Sequence, residues 1–379
     1  MSLKVKEILR NCPRALLLYY AVLGLWIGTT AMHIPDGYLS PITSIVFFVM
    51  MIPFWYVGLK KMRGKLNARS APLIALLAAF SFVIMMFNIP LPGGTTGHAV
   101  GGALAAIILG PVVAVIAISI ALIIQAFFFG DGGILTIGAN CFNMAVVLPF
   151  ISYAIYQIIA GNRPADSRRR TIGAFLAGYI GLAAAAFFTA VEFGIQPALF
   201  HTADGTPLYA PYPLSVALPA MMISHLLIAA VVEGLATALI ILYLQKTNQD
   251  ILTGAIIPQT KSISGIFHRL RGLWIGLAVL IVATPIGLLA PGTAWGEWGA
   301  EELSSLGLGF IPSGLEQLGN LWSAPMPGYD MPALANPYLA YIISAIVGII
   351  IVAIVTWLLI TIISANKLNS GDETTARSG

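Results

Sequence analysis

Residues 95–129 read TTGHAVGGALAAIILGPVVAVIAISIALIIQAFFF. The fold turns on whether this is one long helix kinked at Gly110-Pro111 or two membrane passes joined by a tight hairpin. A pass needs about 20 apolar residues, with wide tolerance, so length alone does not decide. Basic residues favour the cytoplasmic side, and they do decide. The apolar run 42–59 ends at Lys60, Lys61, Arg63, Lys65 and Arg69, which we place inside. The run 71–90 returns outside at Asn88–Gly97. A single pass through 95–129 would strand the basic loop Arg163–Arg170 outside. Two passes, 95–109 and 111–129, bring it inside with the linker Lys246–Arg271 and with Lys367.

Working outward, further apolar runs fall at 139–160, 171–191, 214–244, 272–290 and 337–363. Hydrophobic residues make up 58% and charged residues 9% of the 379. A soluble domain carries about 25% charge, so the chain reads as an all-α polytopic membrane protein. The net charge of +4 is too small to suggest nucleic acid, and it lies mostly in short loops. No G-x-x-x-x-G-K-[ST] phosphate loop and no H-E-x-x-H helix occurs, which argues against ATP hydrolysis by that route and against a zinc protease. Cys12 and Cys141 are the two cysteines; neither belongs to a metal-binding cluster.

This gives five segments: a signal peptide at 1–31, a seven-helix membrane domain at 32–245, a cytoplasmic linker at 246–271, a two-helix unit at 272–365, and a disordered cytoplasmic tail at 366–379. A long outer loop, about 291–336 and rich in Gly, Pro and Trp, joins the last two helices. The mature N-terminus is expected outside the cell membrane and the C-terminus inside.

The chemistry starts at Met32-His33-Ile34-Pro35-Asp36-Gly37-Tyr38-Leu39-Ser40-Pro41. In front lie Lys4, Lys6, Arg10 and Arg14, an apolar run from Ala15 to Ile27, then Thr29-Thr30-Ala31, the pattern of a cleavable signal. Cleavage after Ala31 would make Met32 the N-terminus. Its amine, the His33 backbone amide and a His33 ring nitrogen then reach one ion through unstrained five- and six-membered rings. Three coplanar nitrogens leave a fourth planar position, an arrangement that suits Ni(II) or Cu(II). Pro35 biases Ile34 toward extended backbone. The competing reading is an uncleaved first helix with His33 at the membrane surface. Taken alone, one histidine there favours that reading; the remaining motifs shift the balance.

His98 ends the polar, Gly-rich run Pro92–Gly102 at the outer face, and is the candidate fourth nitrogen; a Gly-rich turn with a surface histidine weighs about evenly. Non-helical backbone at membrane depth survives only when buried in protein or lining a cavity. The next run, Gly130–Met144, carries Asp131 at an outer helix end and Thr136, Asn140 and Asn143 entering a helix. These orient the histidines or, as we favour for the asparagines, bond between helices and pack the loops around the metal. His225 and Glu233, intramembrane and eight residues apart, and Glu192 at an outer boundary are functional candidates by default. A release path or partner contact and a bundle-locking pair carry equal weight for them. His201 and Asp204 fall in an outer loop and His268 in the inner linker, none of them expected to bind metal.

The motifs MHIPDGYLSP (32–41), GGTTGHAVGG (93–102), GDGGILTIGANCFNMA (130–145) and SHLLIAAVVEGLATA (224–238) occur in this order in the substrate-binding membrane component of energy-coupling-factor transporters for nickel or cobalt. The chain resembles that NikM/CbiM group over about 32–245. The resemblance implies a metal held by Met32, His33 and His98, carried as cargo with no cofactor and no covalent chemistry. It implies partners outside the chain: a transmembrane coupling protein and cytosolic ATPase subunits. The C-terminal unit resembles a NikN/CbiN-type or PDGLE-type partner through TPIGLLAPGTAWGEWGAEEL (284–303) and Pro312-Ser313-Gly314-Leu315-Glu316, where Ser replaces the signature Asp. We lean to nickel over cobalt on the planar-site argument. The alternatives are a gradient-driven secondary metal transporter, a membrane metalloenzyme in which Asp131 is the only tempting base, and a purely structural bundle.

Overall fold

Ser40-Pro41 is a strong helix start. The Ser40 hydroxyl accepts the Thr43 backbone N–H at 3.0 Å, and proline suits the first turn, where no N–H partner is needed. Helix α1, Pro41–Lys65, follows. The computed structural model describes residues 32–65, 71–91, 95–252, 263–289, 296–305 and 308–376. The expected signal at 1–31 lies outside the described residues. At 1.5 Å per residue, the 25 residues of α1 carry the chain about 37 Å from the 32–40 segment to the basic cluster at its far end.

Helix α2, Ala71–Met85, returns toward the first end. The chain then departs from the sequence expectation of a helical pass at 95–109. Strand β1, Ile89–Leu91, pairs antiparallel with β2, Thr95–Gly97, in a two-stranded ribbon. Helix α3, Gly102–Leu109, has only eight residues. Two constraints set this local break. Gly101 stands at φ +75°, a left-handed conformation that favours glycine, and a Cβ on Gly102 would meet a Leu148 methyl at 2.5 Å. The split at Gly110 is as expected: Gly110 takes φ +79°, and Pro111 opens helix α4, Pro111–Phe129.

Helices α5 (Ile137–Ile159), α6 (Arg168–Leu199) and α7 (Leu214–Thr247) complete the first unit. The long α6 packs against both α5 and α7. At the α6–α7 crossing small residues let backbones touch: a Cβ on Gly234 would lie 2.7 Å from the Phe175 carbonyl oxygen. Among the described residues three helices carry a π-helical turn, at Gln125–Phe129, Phe142–Val147 and His225–Ala229. Such turns add a residue and re-aim side chains, frequently at functional sites.

The second unit contributes α8, Arg271–Leu289, and α9, Pro337–Ala376, both packed on α2. The helix reaches Ala376, past residue 366 where the sequence suggests a disordered tail. Among the described residues seven helices are long and apolar enough to cross a membrane: α1, α4, α5, α6 and α7 in the first unit, α8 and α9 in the second. The shorter α2 and α3 fill out the seven helical segments of the first unit. The chain is a nearly all-helical, multi-pass membrane protein. Its apolar side chains Ile45, Phe48, Ile275 and Trp357 point outward, as lipid requires.

The two ends of the bundle differ in charge. Lys61, Gly110, Arg163 and Arg170 line one cavity of 690 Å³ at the far end of α1. The basic end of α1 and the basic loop after α5 therefore share an end of the bundle, as the two-pass reading of 95–129 requires. Arg170 is buried there and donates to the carbonyls of Arg163, Pro164 and Leu252 and to the Tyr156 hydroxyl.

Candidate metal centre

The opposite end is built around the extended segment 32–36. The loop before α5 clasps it. The Ile34 N–H donates to Asn140 Oδ1 at 2.8 Å. The Ile34 carbonyl accepts from Gly133 N (2.9 Å), Asn140 Nδ2 (3.1 Å) and the Thr136 hydroxyl (2.5 Å). In return the Asp36 carboxylate accepts the N–H groups of Ile134 and Leu135, at 2.9 and 2.8 Å. A Cβ on Gly133 would strike Asp36 at 2.2 Å, so only glycine allows this approach. The backbone on either side of Ile34 is thus fixed, and Met32 and His33 are both buried.

His98 comes from the other side. The rings of His33 and His98 have centroids 4.9 Å apart, and both residues are at most 5% exposed. The Nε2 atoms of both rings are buried and have no hydrogen-bond partner. A buried, unpaired polar atom costs about 1–3 kcal/mol, so each of the two marks a place where a ligand would be stabilised. His98 Nδ1 bonds the Ala99 carbonyl at 3.1 Å. Burial, then the neighbouring His33, push the His98 ring down to about 3, so it is neutral and able to ligate throughout the physiological range.

Glu233 holds the His98 loop. Its carboxylate accepts the N–H groups of Val100 and Gly101, each at 2.8 Å, and of Ala103 at 3.2 Å. A negative group at the start of α3 also complements the helix dipole. Both roles open to Glu233 in the sequence stand beside this contact, which joins α7 to the His98 loop. His225 sits in the π turn of α7, buried, with Nδ1 bonded to the Met221 carbonyl at 2.9 Å. Its field reaches His98.

Asn143 and Glu192 lie elsewhere. Asn143 Nδ2 donates to Thr189 and Glu192 at 3.0 and 2.9 Å, tying α5 to α6. The two asparagines that share a helix face in sequence therefore divide their work, Asn140 at the 32–36 segment and Asn143 between helices. The exposed His201 belongs to a small turn with Thr202, Asp204 and Thr206. The exposed His268 is on the short helix Ile263–Arg269.

Asp131 is drawn into the centre. Its Oδ1 lies 2.5 Å from His33 Nδ1. Burial would raise this carboxyl, but its contacts with His33, with smaller help from His98 and Tyr329, hold it below its ordinary value. Tyr329 and Glu297, both from the second unit, were missed in the sequence. The Tyr329 hydroxyl donates to Asp131 Oδ2 at 2.5 Å and accepts from Gln125 Nε2 at 2.9 Å. Tyr329 takes φ +62°, a strained conformation for an aromatic residue, and its ring stacks on Phe129 at 4.8 Å. Glu297 accepts the His33 backbone N–H. One donor atom from each of His33, Asp131 and Glu297 falls within 4.8 Å of the others.

The signature-like run of the second unit seals the same region. The Gly314 N–H donates to the Leu208 carbonyl at 2.7 Å, and the Tyr38 hydroxyl donates to the Trp298 carbonyl at 2.8 Å. Gly37, at φ +89°, lies so close that a Cβ would sit 2.6 Å from Leu315 Cα.

The fold is that of a multi-pass helical membrane protein with a buried histidine pair at one end. Residues 33–251 match the family described as "Cobalt uptake substrate-specific transmembrane region", and residues 271–365 match the PDGLE domain. The chain belongs to this CbiM/NikM family, with a PDGLE unit fused behind it; it is a transport component, not an enzyme. It is 50% identical to the fused nickel transport protein NikMN of Rhodobacter capsulatus, over 85% of this chain and 95% of that one. It is 38% identical to the probable fused nickel transport protein LarMN of Lactiplantibacillus plantarum, over 84% and 95%. A crystal structure of a transition metal transporter matches with TM-score 0.54 and 46% identity, over 63% of this chain and all of the other.

Proposed function

We propose that the chain captures nickel or cobalt ions at the outer face of the cell membrane and presents them for ATP-driven import. The observation that carries this is the buried His33–His98 pair, with ring centroids 4.9 Å apart and an unpartnered Nε2 on His98. Signal cleavage after Ala31 would add the Met32 amine, and the His33 amide would complete a planar nitrogen set. That amine has a reference pKa of about 7.7–8.0, so metal binding deprotonates it readily near neutral pH. The six-membered chelate ring uses His33 Nδ1, the atom that faces Asp131. Ion and carboxylate therefore compete for it, and loading exchanges one contact for the other.

The metal is cargo. Planar nitrogen coordination favours nickel, although Cu²⁺ binds such sites more tightly still, so cellular availability shares in the choice. The resemblance to the NikM/CbiM group assigns the energy source to separate subunits, a membrane coupling protein and cytosolic ATPases. The basic end with Lys61, Arg163 and Arg170 would face the cytosol.

Titration of the full chain, purified from membranes, tests the reading. His33→Ala and His98→Ala are each expected to weaken nickel binding at least about 100-fold, more than loss of a supporting hydrogen bond costs. Wild-type affinity in both variants rules the site out.

A further inference from the structure

The second unit reaches the metal centre with a carboxylate, and no motif of the first unit accounts for it. Glu297 holds the His33 backbone N–H. Its Oε1 is buried and has no hydrogen-bond partner. Across His33 stands Asp131, its Oδ1 at Nδ1 and its Oδ2 fixed by the Tyr329 hydroxyl. Donor atoms of the three residues lie within 4.8 Å of one another. Two half-buried carboxylates held this close repel when both are ionised, and a divalent cation removes that repulsion.

We infer that His33, Asp131 and Glu297 form a receiving subsite for a divalent cation, in which two carboxylate oxygens take the hydrated ion before the nitrogen set does. The ligand class follows from the donors. Oxygen ligands bind divalent transition ions with less discrimination than nitrogens do, and they exchange water and ion quickly. Two carboxylates and a neutral ring balance the charge of the ion. The final nitrogen set needs the His33 amide without its proton, so the hydrogen bond from that amide to Glu297 belongs to the state before transfer. As the ion moves to nitrogen, the amide proton passes to the Glu297 carboxylate, which then leaves the amide. In this way the fused unit contributes a ligand that acts on the rate of loading while the final ligands come from the first unit.

The inference rests on the nitrogen-site reading above, and one experiment separates the two. Nickel(II) association and release are timed on the full chain with a competing chromogenic chelator. Glu297→Gln keeps an oxygen for the His33 amide and removes only the charge, so the local fold is retained. Association and release are both expected to slow about tenfold, with the dissociation constant within about threefold of wild type, as for loss of an electrostatic receiving ligand. Glu297→Asp is expected to recover most of the rate. Association at the wild-type rate overturns the inference, as does slower association with unchanged or faster release, which marks a purely structural role. If His33→Ala and His98→Ala keep wild-type affinity, the nitrogen site fails independently of the Glu297 rates.

Discussion

His98 shows how one residue reports on the whole centre. A histidine in water titrates near 6.5, and burial brings this one down to about 3. The unfolded chain thus takes up a proton that the folded chain refuses between these values. Stability of the metal-free protein is therefore intact above about pH 6.5 and falls as pH drops toward 3. His98→Gln is expected to flatten that fall in a pH series of thermal unfolding, with little change at pH 7.5. The same neutrality means His98 need not shed a proton to ligate at pH 5 to 8, so pH dependence of metal binding there is expected to come from the amine and amide. His98 was visible in the sequence because it closes a run of glycines. Glu297, although inside the quoted run 284–303, and Tyr329 were not, since their partners lie roughly 200 or more residues away.

At the scale of elements, the informative failure is the segment 86–109. Apolar content and charge correctly split 95–129 at Gly110-Pro111, because Gly110 needs φ +79° and Pro111 starts a helix. Composition also suggested helix from 95, where the structure has a ribbon and then α3. A short helix loses less by giving up its first turns when another group takes its free N–H groups. Glu233, 130 residues away, does that here. Glu233→Ala leaves three buried N–H groups unpaired, at about 1–3 kcal/mol each. We expect a drop of about 3 kcal/mol or more in unfolding free energy and loss of nickel binding, checked by thermal unfolding and titration. Glu233→Gln, which keeps an acceptor, is expected to retain the fold and part of the binding. Unchanged stability in Glu233→Ala would mean that other groups satisfy the loop.

The whole molecule is two units that meet at the candidate metal centre. The split at Gly110-Pro111, the fused second unit and the closeness of His33 to His98 were legible because apolar length, basic loops and ordered motifs each leave a one-dimensional trace. The interface between the units was not, since it depends on glycines whose neighbours come from distant parts of the chain. Gly37→Ala is expected to strain φ and force Leu315 away, costing about 1–3 kcal/mol. Cross-linking between cysteines placed at positions 38 and 298 is expected to fall with it. The central claim is that the ion is held by Met32, His33 and His98. Anomalous diffraction at the nickel edge from crystals of the nickel-loaded full chain, taken from its native membrane, tests this most directly. We expect one strong peak between the His33 and His98 rings, with the chain beginning at Met32. A peak elsewhere, or a chain that continues through Ala31 into the site, would overturn the assignment.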